Sequence, residues 1–85
     1  MKHNVYCVKD TLVNQCFPPV TGDSDPAMVR SFGDSVLKGN TPISDHPEDY
    51  CLLKVGYFDT ETGLLTPLDC PQVLCHAVDF QKKEI

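Results

Sequence analysis

The chain has 85 residues, which suits one small domain, and 41% of them are hydrophobic, too many for a disordered polypeptide. Seven Lys+Arg against twelve Asp+Glu leave a net charge of −5 and a pI near 4.8, which opposes non-specific attraction to a phosphate backbone. No apolar run approaches the roughly 20 residues that cross a bilayer, and Met1-Lys2-His3-Asn4 leads straight into strand-like sequence without the apolar stretch of a signal peptide, so a cytoplasmic location is expected.

A chain this short buries only about 60–65% of its unfolded surface, and so thin a core favours self-association. The cysteines are Cys7, Cys16, Cys51, Cys70 and Cys75. An odd count without a secretory signal points to reduced thiols acting as small hydrophobes rather than to a disulfide framework.

Asn4 to Lys9 is short and rich in β-branched and aromatic residues, which predicts a strand. In Leu12 to Val20 the pair Pro18-Pro19 cannot donate ladder hydrogen bonds, so Cys16-Phe17 fits at best an edge strand or bulge. Thr21-Gly22-Asp23-Ser24 has turn chemistry. A helix follows, with Asp25 as the expected cap and Pro26 at its first position. Val29, Phe32 and Val36 make an apolar stripe, Lys38 sits at the negative end of the dipole, and Gly39-Asn40 supply a left-handed exit. Gly33 inside the helix predicts a close approach to a neighbouring backbone.

Thr41 to Asp49 is expected to be a loop, after which Tyr50 to Phe58 alternates. Cys51, Leu53, Val55 and Tyr57 fall on one face, with Lys54 and Gly56 on the other. Asp59-Thr60-Glu61-Thr62-Gly63 predicts a tight turn, and Leu64 to Leu68 a returning strand. Beyond Pro71 two periods compete. Val73, Leu74, Ala77 and Val78 share a helical face, while Val73, Cys75 and Ala77 share a strand face; the helical turn is slightly preferred. Together these elements predict a single α+β domain over residues 1–80, a small antiparallel sheet of three to four strands with one main helix packed on one face, and a flexible tail over 81–85.

No catalytic constellation emerges. Cys75-His76 are sequence neighbours whose side chains diverge on a strand, no glycine-rich phosphate cradle exists, and a non-enzymatic protein without cofactor is expected. Cys70, Cys75 and His76 lack the second close ligand pair of a structural zinc site. The segment His46-Pro47-Glu48-Asp49-Tyr50 admits two readings: a partner-binding loop using His46, Glu48, Asp49 and Tyr50, or a Pro47-stiffened lead into the strand with Tyr50 packed at the sheet rim. For nucleic acid, the candidate contacts are Lys2, Lys54 on the open face of the hairpin, Lys82 and Lys83.

Asp45-His46-Pro47-Glu48-Asp49-Tyr50, Leu53-Lys54-Val55-Gly56, Thr62-Gly63 and Thr66-Pro67-Leu68 resemble the signature of the small nonstructural protein of gokushovirus-type microviruses. Asn4-Val5-Tyr6, Asp10-Thr11, Phe17-Pro18 and Val29-Arg30-Ser31-Phe32 fit the same proteins. The resemblance covers roughly residues 4 to 69 and departs in the tail. It implies a phage protein of the host cytoplasm, absent from the mature virion, that acts in viral single-stranded DNA synthesis and genome packaging. As a counterpart of the microvirus switch protein, it would be a homo-oligomeric adaptor whose partners are phage replication or procapsid proteins. Direct single- or double-stranded DNA binding through a local basic patch is the alternative.

Overall fold

A computed structural model of the chain describes residues 1–80. The strands are β1 (Lys2–Asp10), β2 (Gln15–Cys16), β3 (Val20–Gly22), β4 (Tyr50–Asp59) and β5 (Leu65–His76). The helices are α1 (Asp25–Lys38) and the single turn α2 (Pro42–Asp45), and 3-10 turns span Pro47–Asp49 and Ala77–Phe80. All pairings are antiparallel and run β2-β1-β4-β5, with β3 also on β1. Because β4 occupies one edge of β1 along its length, β2 and β3 follow one another along the opposite edge. The α+β sheet with one main helix is as the sequence predicts. Its fifth strand is Val20–Gly22, which takes up Thr21-Gly22 of the expected turn: Val20 pairs with Tyr6 and Gly22 with Asn4.

Helix α1 lies on the face carrying Tyr6, Tyr50, Leu52 and Cys75. Phe32, Gly33 and Val36 are its buried positions, with Val29 and Met28 packed beside the two large side chains. Burying each such side chain contributes roughly 1.5–3 kcal/mol, enough to order a helix that would not persist alone. The cap is Ser24 rather than Asp25: its Oγ accepts from the Ala27 N–H at 3.2 Å. Gly39 and Asn40 take the expected left-handed exit, at φ 85° and 61°. Gly33 does mark a close approach, but to a ring: a Cβ there would lie 2.6 Å from Phe80 Cδ1.

Both faces of the two central strands are covered, so Val5, Tyr6 and Cys7 are consecutively buried, as are Tyr50 to Leu53. On the face away from α1, Cys7, Cys51 and Leu53 form a second cluster with Val55. A bulge resets the alternation within β4. Tyr6 pairs with Lys54 and Val5 with Gly56, leaving Val55 unmatched. Tyr57 therefore stands opposite Asn4, on the α1 side with Lys54, and not with Cys51, Leu53 and Val55 as simple alternation predicted.

The hairpin turn forms as expected. Asp59 accepts from the Glu61 N–H at 2.9 Å through Oδ1 and from the Gly63 N–H at 2.8 Å through its carbonyl, with Gly63 at φ 76°. The returning strand does not stop at Leu68. It resumes against β4 at Gln72 and continues to His76, so the helical reading of residues 71–76 gives way to a strand, with one 3-10 turn after it. Pairing with the long β4 decides the conformation there, which local periodicity does not encode.

Candidate functional site

Lys54 is where sequence and structure diverge most. It projects toward the start of α1, not onto an open face, and its side chain is 13% exposed. Its ammonium lies 3.4 Å from Asp25 Oδ2 and 5.2 Å from the centre of the Tyr57 ring. Asp25 also accepts from the Tyr6 hydroxyl at 2.6 Å and from Asn4 Nδ2 at 3.3 Å, and Asn4 reaches the Tyr6 oxygen at 3.0 Å. The carboxylate is placed in the first turn of α1, where the helix dipole favours negative charge. Burial and the Asp25 bond push the Tyr6 hydroxyl up to about 12. The sequence signal for this arrangement was slight: Asp25 looked like a cap, and nothing local pairs it with a tyrosine nineteen residues earlier.

The segment after α1 is built tightly. Thr41 and Ser44 form a reciprocal capping box on α2, and Pro47 is buried at the start of the following 3-10 turn. The Asp49 carbonyl accepts from both the backbone N–H and the hydroxyl of Thr11, at 2.7 and 3.0 Å. His46 and Glu48 are exposed and Asp49 is half-buried. One donor atom from each of these three lies within 4.8 Å of the other two, an arrangement of imidazole and carboxylates able to accept a cation or a cationic side chain. Tyr50 differs. It is 8% exposed, belongs to the core under α1, and stacks obliquely on Phe17 at 6.1 Å. Burial, followed by the charge of Asp10, raises its hydroxyl pKa. Tyr50 is thus a core residue, so the partner-contact reading holds no place for it; burial starts at the first residue of β4.

The cysteine–histidine cluster does not converge. Cys75 is buried toward α1, whereas Cys70 and His76 are exposed. Lys2 is exposed on β1, and Lys82 and Lys83 lie outside the described residues.

Two apolar grooves went unpredicted because each is assembled from distant segments. One, of about 250 Å³, runs between α1 and the Phe17–Val20 segment, with Phe17, Val20, Met28, Phe32 and Ile43 in its walls. The other, of about 280 Å³, lies beside the β4 bulge between Val5, Pro19, Val55, Leu65 and Pro67. Phe17, Val20 and Leu65 are among the exposed large hydrophobics.

The model of the phage ORF5 protein family matches residues 3–80, a span that takes in every element described above except the first residue of β1. The chain belongs to the phage ORF5 protein family. No curated protein and no solved structure matches it. In this phage ORF5 protein, then, His46 and Glu48 lie on the surface with Phe17, Val20 and Leu65 of the groove walls, while Lys54 and Tyr50 are packed into the fold.

Proposed function

We propose that this phage ORF5 protein is a non-enzymatic, oligomeric adaptor of the host cytoplasm that is absent from the mature virion. It acts in viral single-stranded DNA synthesis and genome packaging by binding phage replication or procapsid proteins. Membership of a phage family and the resemblance to the microvirus nonstructural protein support the setting. The observation that carries the mode of action is the state of Lys54. The basic residue nearest the centre of the sheet is held by Asp25 and shielded by Tyr57, so it is not offered to a phosphate. With a net charge of −5, the described surface instead presents apolar grooves and the His46–Glu48 rim, which suit a protein partner.

The test is genetic. Deleting the gene from an infecting phage is expected to reduce both single-stranded genome accumulation and the yield of packaged genomes. Unchanged levels of both would overturn the proposal.

A further inference from the structure

The three polar side chains of the turn that leads into β4 converge without bonding to one another. His46 and Asp49 stand three residues apart across the 3-10 turn Pro47–Asp49, and a helix with three residues per turn brings such positions to the same side. The longer Glu48 side chain reaches back toward them. Its Oε1 lies 4.0 Å from His46 Nδ1, beyond hydrogen-bonding distance. One donor atom from each residue lies within 4.8 Å of the other two. The imidazole makes no capping hydrogen bond to the turn it opens. Among the described residues neither carboxylate is paired with a lysine or an arginine. Two carboxylates without a counter-charge and an unengaged ring nitrogen thus share one spot, in a chain of net charge −5, and that arrangement favours a cation. We propose that His46, Glu48 and Asp49 bind one divalent transition-metal ion of the zinc type.

The spacing suits an ion. Three atoms no more than 4.8 Å apart have a point within about 2.8 Å of them all, against the roughly 2.0–2.2 Å of zinc–nitrogen and zinc–oxygen bonds. A gap of under about 1 Å per ligand is closed by rotation of exposed side chains such as His46 and Glu48. The backbone beneath them is already fixed. Pro47 is buried, the His46 N–H donates to the Pro42 carbonyl at 2.9 Å, and the Asp49 N–H donates to the His46 carbonyl at 3.0 Å. Thr11 then holds the Asp49 carbonyl through both its N–H and its hydroxyl. Folding therefore supplies the backbone ordering that binding would otherwise cost.

The donor set selects the ion. Calcium and magnesium take oxygen ligands, whereas imidazole suits zinc and its neighbours in the first transition row. Three protein ligands on an exposed rim leave a further position for water. No thiol takes part: the solvent-exposed cysteines, Cys16 and Cys70, lie on β2 and β5. The ion would occupy the rim assigned above to a protein partner, but its binding does not rest on that assignment.

The experiment titrates Co2+, a spectroscopic stand-in for zinc, into the full chain and into a Cys16→Ser/Cys70→Ser chain, then adds Zn2+ or excess Mg2+. The expected result in both chains is one Co2+ bound per chain, with visible d–d bands and no thiolate-to-cobalt charge-transfer band. Zn2+ should displace it and Mg2+ should not. His46→Ala, Glu48→Gln and Asp49→Asn should each weaken binding by at least the roughly 10–100-fold that loss of an outer-shell partner costs. His46 and Glu48 are exposed, so their variants test the ligands without disturbing the core, and the parent titration needs no variant to fold. No Co2+ uptake by the parent chain, uptake lost with Cys16 and Cys70, or an unchanged affinity in His46→Ala would overturn the proposal.

Discussion

The Tyr6 hydroxyl and the Asp25 carboxylate meet at 2.6 Å, joining the middle of the central strand to the first turn of the only long helix among the described residues. Asn4 and Lys54 complete the carboxylate's surroundings. The helix is thereby fixed at its start by polar contacts and along its length by Phe32 and Val36.

Removing the two ends of this contact should have unequal effects. Tyr6→Phe deletes one donor and leaves Asp25 with Asn4 and Lys54, so a loss of about 1–2 kcal/mol is expected. Asp25→Ala strands both the Tyr6 hydroxyl and the Lys54 ammonium and should cost more, about 2–4 kcal/mol. Urea unfolding of the two variants and their double mutant measures the order; equal losses would mean that Lys54 draws nothing from Asp25.

Stability should fall on the alkaline side. Tyr6 is raised from 10.0 to about 12 in the folded chain, so its neutral form is favoured by folding. That contribution is complete below pH 10 and is lost as pH rises from 10 toward 12. Cys7 and Cys75, raised from 9.0 to about 11, act in the same sense from pH 9 upward. Denaturation midpoints recorded from pH 8 to 11.5 should therefore decline, and Tyr6→Phe should flatten the upper part of that decline. Asp59, lowered chiefly by the Glu61 N–H, works in the opposite direction and loses its contribution as pH falls through its depressed pKa.

Gly33 and Phe80 should show a reversal of sign. A methyl group at Gly33 would gain about 1 kcal/mol of helix propensity, but it meets the Phe80 ring at 2.6 Å. Overpacking of this kind costs about 1–3 kcal/mol. Gly33→Ala is expected to destabilise the parent chain and to stabilise a Phe80→Ala chain. Thermal melts of the four proteins decide it. Destabilisation in both backgrounds would remove the Phe80 ring as the cause.

The segment from His46 to Tyr50 should divide into surface and core. His46→Ala and Glu48→Ala are expected to alter stability by less than about 0.5 kcal/mol, while weakening capture of phage replication or procapsid proteins from infected-cell extract. Tyr50→Ala should cost about 3–5 kcal/mol, because it empties the core under α1. Unimpaired capture by the His46 and Glu48 variants would exclude this rim as a contact.

Much of the fold was legible where one local rule sufficed. Phe32 and Val36 at helical spacing, Gly39-Asn40 at the exit, and Asp59 with Gly63 in the hairpin each declare themselves within a few residues. What escaped depends on partners far away in sequence. Val20 becomes a strand because Tyr6 is there to pair with it, and residues 72–76 extend because β4 is long enough to receive them. The Val55 bulge is a matter of register between strands, and it carries Tyr57 to the other face. Lys54 was misplaced for a related reason: an isolated lysine in an alternating strand reads as solvent-facing, and only the fold brings Asp25 over it.

The most direct measurement for the adaptor reading is fluorescence anisotropy of labelled single- and double-stranded DNA titrated with the full chain at low salt. With Lys54 held by Asp25 and a net charge of −5, no saturable binding is expected to either DNA. Tight binding that weakens steeply as salt rises would contradict the account, since it would require a cationic surface engaging phosphates directly.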